Sequence, residues 1–102
     1  MNLANSQKKH FKTVGHHLSP VVMVAEKGLS ENLVKEASRA LADHELIKIR
    51  FSLDDRDERR ALMQELAEQL QAELVQVTGK IGLYFKKAAK PNPKLSNLIR
   101  FA

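Results

Sequence analysis

The chain has 102 residues, of which 43% are apolar and 28% are charged, with a formal net charge of +5 at pH 7 and no cysteine. This length suits one domain with a modest core, and the lack of cysteine excludes disulfide bonds, thiolate zinc sites and a cysteine nucleophile. No apolar run approaches membrane-spanning length and the start has no apolar signal region, so we expect a cytoplasmic protein without a membrane partner.

The positive charge is concentrated at the two ends of the chain. Residues 1–27 carry four Lys and one Glu, residues 28–71 carry seven basic and ten acidic side chains, and residues 86–102 carry five basic side chains and no acid. Basic ends of this kind are typical either of a solvated surface with a solubilising tail or of a surface that binds a polyanion. Composition alone does not choose between these two interpretations.

The first predicted elements are a basic helix and an apolar strand. Ser6 is the predicted N-cap of the helix, and Lys8 and Lys12, four residues apart, share one of its faces with Lys9 beside them. The apolar stripe of this helix is formed by Phe11, Val14 and Leu18. The sequence PVVMVA (20–25) then predicts a short strand that is buried on both faces.

A turn, AEKG (25–28), joins this strand to the second predicted helix. A strand, a glycine-bearing turn and a helix start together are how many folds present backbone N–H groups to a phosphate. Ser30 is the predicted N-cap of the second helix, with Leu29 and Val34 at the spacing of a hydrophobic staple. The apolar periodicity carries this helix to about Asp43.

The middle of the chain predicts a strand followed by a third helix. In HELIKIRF (44–51), apolar side chains alternate with Lys48 and Arg50, which therefore share one face of a strand. Asp55 and Glu58 then have the spacing of a capping box. We attribute the acids clustered there to capping and to the helix dipole, and not to acid–base catalysis or magnesium binding.

The sequence ELVQVTGKIGLYF (73–85) predicts two strands joined by a type II′ turn at Gly79-Lys80. From Lys86 onward the chain is basic and interrupted by prolines, which predicts an extended, mobile tail. The alternative is a final docked turn, formed by Leu95, Leu98, Ile99 and Phe101.

The predicted order is α-β-α-β-α-β-β, an α/β class fold in which a four-stranded mixed sheet packs against helices as a small sandwich. The helical crossovers between strands one and two and between strands two and three predict parallel neighbours, and the last hairpin is antiparallel. We place one domain at residues 1–87 and a basic C-terminal tail at residues 88–102.

The sequence contains no motif of an enzyme active site. It has no HExxH, GxSxG, GxGxxG or Walker pattern. His16 and His17 are adjacent on the predicted helix and point in different directions, so they cannot chelate one ion. We therefore expect no catalytic residue, no metal and no cofactor.

Three blocks of the sequence together resemble one known family: residues 17–51 (HLSPVVMVAEKGLSENLVKEASRALADHELIKIRF), residues 54–62 (DDRDERRAL) and residues 75–85 (VQVTGKIGLYF). They are similar to the YhbY/CRM family, the chloroplast RNA splicing and ribosome maturation domain, in its stand-alone bacterial form. The resemblance covers roughly residues 3–87. It implies a fold similar to the C-terminal domain of bacterial translation initiation factor three.

The resemblance also implies a non-catalytic RNA-binding protein that associates with precursors of the large ribosomal subunit. The family's GxxG loop corresponds to residues 25–28, where Ala25 replaces the first glycine and Glu26 adds a negative charge. The family usually ends its last strand with LYR, whereas this chain reads LYFKK, which moves the positive charge to Lys86.

Charge and resemblance together give the candidate RNA contacts. Tyr84 is the best candidate for base stacking, whereas Phe11 and Phe51 are predicted in the core. Lys48 and Arg50 have two open interpretations, RNA contact or pairing with helix acids. The full candidate set is Lys8, Lys9, Lys12, His16, His17, Lys27, Gly28, Lys48, Arg50, Gly79, Lys80, Tyr84, Lys86 and Lys87.

With so few aromatic residues, we expect recognition of structured RNA, ribosomal RNA within pre-ribosomal particles, by shape and backbone. The protein is expected to be a monomer. The alternative function is that of an adaptor whose basic ends bind an acidic protein partner, with no role in RNA binding.

Overall fold

The computed structural model describes residues 3–101. The elements in this part of the chain are α1 (Asn5–Gly15), β1 (Pro20–Val24), α2 (Glu31–His44), β2 (Leu46–Phe51), α3 (Arg56–Leu70), β3 (Glu73–Thr78), β4 (Ile81–Phe85) and α4 (Asn97–Arg100). The predicted order of helices and strands is confirmed, and a short helix follows it near the C-terminus.

The strands form one mixed sheet in the order β1-β2-β4-β3. β1 and β2 are parallel neighbours, as a helical crossover predicts, and β4 pairs antiparallel with both β2 and β3. The prediction that strands two and three are neighbours is wrong. The two-residue turn places β4 directly beside β3, and the other edge of β4 pairs with β2.

Local sequence signals explain where α2 and α3 begin. The Ser30 hydroxyl accepts a hydrogen bond from the Leu33 N–H at 3.1 Å, and the Asp55 carboxylate accepts one from the Glu58 N–H at 2.9 Å. Both caps are as predicted. The predicted Ser6 cap is wrong, because α1 begins at Asn5 and Ser6 therefore lies inside the first turn.

Two apolar cores lie on opposite faces of the sheet. The larger core packs α2 and α3 against one face, and its members include Ala37, Leu41, Ile47, Ile49, Phe51, Met63, Leu66 and Tyr84. The smaller core packs α1 against the other face, and its members are Phe11, Val14, Leu46, Val75, Leu83 and Phe85. The sheet is thus covered by α2 and α3 on one side and by α1, with Leu98 of α4, on the other.

β1 is an edge strand that is buried on one face. Val22 and Val24 point into the larger core, whereas Val21 is 50% exposed and Met23 is 60% exposed. The prediction of a strand buried on both faces is therefore wrong. The apolar run was uninterrupted, but α1 covers only part of the second face and leaves the β1 edge open.

The C-terminal segment docks against the end of α2 and the start of β2. The carboxylate of Glu45, a buried residue, accepts hydrogen bonds from the Ser96 hydroxyl at 2.8 Å and from the Ala88 N–H at 2.9 Å. The Asn97 side chain donates to the Leu46 carbonyl at 2.7 Å. These bonds satisfy polar groups that are removed from water, so they hold the segment in place.

Of the two outcomes predicted for the tail, the docked final turn is the one observed. The division into residues 1–87 and residues 88–102 stays a prediction. Residues 1–2 and residue 102, at the outer ends of these ranges, lie outside the described part of the chain. Across residues 3–101, the helices are all too short or too polar to cross a membrane.

Candidate nucleic-acid interface

α1 presents a row of basic side chains to solvent. Phe11 and Val14 bury one side of the helix against the sheet. Lys9 and Lys12 are exposed on the remaining surface, and Lys8 is half-buried. The sequence of α1, NSQKKHFKTVG, contains no acidic residue. This helix therefore offers positive charge that no neighbouring acid on the same helix neutralises.

Lys48 and Arg50 extend this positive charge onto the sheet. They alternate with the core residues Ile47, Ile49 and Phe51, so they project from the face that α1 covers. Lys48 is half-buried and Arg50 is exposed. We use the name "basic face" for the surface formed by Lys8, Lys9, Lys12, His16, Lys48 and Arg50.

The ion pairs of the structure bear on the two interpretations of Lys48 and Arg50, which are RNA contact and pairing with helix acids. Within residues 3–101 the ion pairs are Lys35–Glu31, at 3.2 Å, and Lys80–Asp54, at 3.1 Å. Neither involves a residue of the basic face. Pairing with helix acids is therefore not observed, because α2 and α3, which carry those acids, pack on the opposite side of the sheet.

A shallow pocket lies where the end of α1 meets the uncovered part of the sheet. His16 and Lys48 of the basic face line it together with Gln76 and Thr78 of β3. Imidazole, ammonium, amide and hydroxyl groups can all donate hydrogen bonds. The basic face therefore combines positive charge with several donors at one concave position.

The 25–28 turn is a tight turn with one left-handed residue. The Gly28 N–H donates to the Ala25 carbonyl at 2.9 Å, and Gly28 has a φ of 80°. Ala25 is not among the described residues with positive φ. Alanine at this position therefore costs no backbone strain, because the left-handed conformation belongs to Gly28 alone.

Acidic side chains border the 25–28 turn. Glu26 lines a concave surface with Asp54, Asp55 and Glu58, next to the start of α3. Lys27 and Gly28, two of the predicted contacts, therefore lie close to negative charge.

The β3–β4 turn lies at the same end of the sheet as the 25–28 turn. Gly79 has a φ of 58°, and Lys80 is not among the described residues with positive φ. A type II′ turn requires both features. The Lys80 ammonium contacts the Asp54 carboxylate at 3.1 Å. Asp54 is almost fully exposed, so this pair contributes little stability and leaves Lys80 able to exchange partners.

The structure contradicts the choice of Tyr84 as the stacking residue. Its side chain is fully buried, and its hydroxyl donates to the Met63 carbonyl at 2.9 Å. Burial raises the pKa of the Tyr84 phenol above its ordinary value, so it stays a protonated donor. Alternation along β4 placed Tyr84 correctly on the face opposite Leu83 and Phe85, but that face is the larger core.

Lys86 and Lys87 lie at the other end of β4 from the two turns. The Lys86 ammonium donates to the Leu70 carbonyl at 2.9 Å, in the last turn of α3. A cation there compensates the negative end of the helix dipole. Lys86 therefore has a structural partner, whereas Lys87 is exposed.

Sequence reasoning missed the contact between His17 and Phe101. Their rings are stacked, with centroids 5.9 Å apart and planes 8° apart. The sequence predicts His17 as an RNA contact and places Phe101 in a mobile tail or in a docked final turn, but it does not pair the two rings. The two prolines that predicted an extended segment gave no signal for where that segment ends. In the described part of the chain, His and acidic side chains nowhere form a group of three that suits a metal ion.

The fold and the basic face define a small α/β domain whose one side is complementary to a polyanion. The sequence model of the CRS1 / YhbY (CRM) domain matches residues 3–86, and the chain belongs to this family. The resemblance stated from the sequence blocks is thereby confirmed.

Known proteins similar to this chain agree with the family assignment. A protein of Pseudomonas aeruginosa, named a probable RNA-binding protein, is 54% identical over 100% of this chain and 98% of its own length. A Haemophilus influenzae protein named an RNA-binding protein is 32% identical, over 91% of this chain and 94% of its own length. The solution structure of a hypothetical Staphylococcus aureus protein, described as a candidate for RNA binding, has a TM-score of 0.77 at 26% identity and covers 93% of this chain and 98% of that one.

Proposed function

We propose that this protein binds RNA through the basic face and has no catalytic activity of its own. The observation that carries the proposal is the placement of charge: basic side chains of α1 and β2 share one side of the sheet, and the helices that hold most acids lie on the other. The names of the relatives in Pseudomonas and Haemophilus support the same function.

The affinity is expected to come mainly from phosphates. Lys and Arg side chains that neutralise RNA phosphates release bound counterions, which makes such binding strongly dependent on salt. The described aromatic side chains near the basic face are buried, since Phe11 and Phe85 pack on each other with centroids 4.6 Å apart. This face is therefore suited to the backbone and shape of RNA, and less to reading its bases.

A test of RNA binding compares two sets of substitutions. Replacing Lys8, Lys9 and Lys12 together by Ala should weaken binding to a ribosomal RNA fragment about tenfold or more, because up to three phosphate contacts are lost. Lys35→Ala is the control: Lys35 is also an exposed helical lysine, but it lies on α2 and pairs with Glu31. Filter binding at fixed salt measures both. Equal affinity of the triple variant and the wild type would contradict the proposal.

The finer proposal is that the RNA is ribosomal RNA within precursors of the large ribosomal subunit, and that a monomer acts in the cytoplasm as an assembly factor. Support comes from the resemblance of residues 17–51, 54–62 and 75–85 to the stand-alone bacterial members of the family. In a sucrose gradient of a cell lysate, the protein should then sediment with particles near the large subunit. Both moderate salt and ribonuclease should release it.

Two other results of the gradient would be decisive. A protein that stays at the top of the gradient at low salt would contradict stable association with particles. Association that survives ribonuclease would instead favour the alternative function, an adaptor that binds an acidic protein partner. The triple variant of α1, run beside the Lys35→Ala control, connects either result to the basic face.

A further inference from the structure

A second concave site lies where the docked C-terminal segment meets the domain. It is bounded by the segment after α1, the start of β1, the end of α2 and α4. We call it the tail pocket. The residues on which its chemistry depends are His17, Ser19, Val21, His44, Arg100 and Phe101. Apart from His17, none of them belongs to the candidate set that the sequence predicted.

Phe101 gives the tail pocket an aromatic ring with a defined orientation. The ring stacks on His17, and the Arg100 guanidinium carbon lies 5.6 Å from the Phe101 ring centroid. Phe101 is nevertheless 38% exposed. Proteins stack unpaired nucleobases on exposed aromatic rings and on guanidinium planes, and the tail pocket contains one of each.

Buried hydrogen bonds hold the start of α4, the helix that leads to this ring, in place before any ligand arrives. Ser96, which precedes α4 and is fully buried, donates to the Glu45 carboxylate, and Asn97 donates to the Leu46 carbonyl. Phe101 follows α4 directly. Binding to a preformed ring avoids the entropic cost of ordering the tail, so it favours affinity.

The charge and hydrogen-bonding groups of the tail pocket also suit a nucleotide. The described residues that line it include no acidic side chain, unlike the concave surface beside Glu26. Arg100 is available to a phosphate. His44 contacts the Leu95 carbonyl at 2.8 Å through Nδ1. A carbonyl only accepts, so Nδ1 carries the hydrogen, and in the neutral ring Nε2 is left as an acceptor.

We propose that the tail pocket binds an unpaired nucleobase of RNA, stacked on Phe101, with the adjoining phosphate on Arg100. This inference rests on the proposed RNA binding and deepens it. The basic face supplies affinity for any RNA backbone, and the tail pocket adds a preference for single-stranded segments such as loops, bulges and ends.

The test compares a short oligoadenylate with a blunt RNA duplex that carries the same number of phosphates. Phe101→Leu keeps an apolar side chain but removes the ring, and Phe101→Tyr is the matched control that keeps it. Phe101→Leu should lose about tenfold in affinity for oligoadenylate, the size expected for one stacked base. Its affinity for the duplex should stay within about twofold of the wild type, because backbone contacts are unchanged.

Fluorescence gives a second, direct measurement. The chain has no tryptophan, so Phe101→Trp places a single reporter in the tail pocket. Oligoadenylate should quench its emission through stacking, and the duplex should not. Quenching by an acidic peptide but not by oligoadenylate would assign the pocket to a protein ligand and overturn the proposal.

The outcomes separate the two proposals. If the wild type binds both RNAs and Phe101→Leu binds each of them as the wild type does, the tail pocket inference fails and RNA binding stands. An equal loss on both RNAs also overturns the inference, since it would show a general change in the protein. If the wild type binds neither RNA, the proposed function itself fails.

Discussion

Tyr84 has the chemistry of a base-stacking residue, but its surroundings give it a different role. Its ring packs in the larger core 6.4 Å from the Phe51 ring, centroid to centroid, and its hydroxyl reaches the backbone of α3. A buried hydroxyl requires a partner, and the Met63 carbonyl provides one. The residue therefore connects β4 to α3 and takes no part in the surface.

Tyr84→Phe tests this assignment. The substitution removes one buried hydrogen bond and leaves the ring in place, so the free energy of unfolding should fall by about 1 kcal/mol. Urea denaturation measures that change. Affinity for RNA should not change, because the side chain is fully buried in the wild type. A variant with native stability but weakened RNA binding would restore Tyr84 as a contact.

The 25–28 turn shows a similar contrast between residue type and surroundings. The sequence shows two departures from the family's loop: Ala25 replaces a glycine, and Glu26 adds a negative charge. In the structure the turn closes normally around Ala25, and the positive φ occurs at Gly28. The consequential departure is Glu26, which adds to the negative charge of Asp54 and its neighbours.

At the scale of elements, periodicity and capping correctly predicted the features that depend on residues close together in the sequence. The caps at Ser30 and Asp55 and the turn at Gly79 involve residues at most three positions apart, so the sequence contains them completely. The errors concern contacts over long sequence separations. The exposure of Val21 depends on where α1 ends, and the burial of Tyr84 depends on α3.

The docked tail is the clearest case of a long-range contact that the sequence did not reveal. Prolines and lysines predicted an extended segment, and both are compatible with the loop at residues 86–95. What holds the tail is Glu45, whose carboxylate reaches across to Ser96, 51 positions away. Nothing in the composition of the tail identifies that partner, so the pocket around Phe101 could not be predicted either.

At the scale of the whole molecule, the position of the charges matters more than their total. The net charge of +5 is modest, but the fold separates most acids, on α2 and α3, from the lysines of α1 and from Lys48 and Arg50 of β2. A polyanion that approaches the α1 side therefore meets a field stronger than the net charge suggests. The charges are separated because α1 packs on one face of the sheet and α2 and α3 pack on the other.

Arg50→Gln and Arg60→Gln distinguish the position of a charge from the net charge. Both arginines are exposed and both substitutions remove one positive charge, but Arg50 belongs to the basic face and Arg60 to α3, on the acidic side. If Arg50 contacts one phosphate, the slope of log affinity against log salt concentration should become shallower by about 0.7 to 0.9 for Arg50→Gln. Arg60→Gln should keep the slope of the wild type, because an exposed charge on the other side of the sheet is screened at the salt concentrations of the titrations.

Titrations of one RNA at several salt concentrations measure both slopes. Equal changes in the two variants would show that net charge governs binding and would contradict the assignment of the α1 side as the RNA-binding surface.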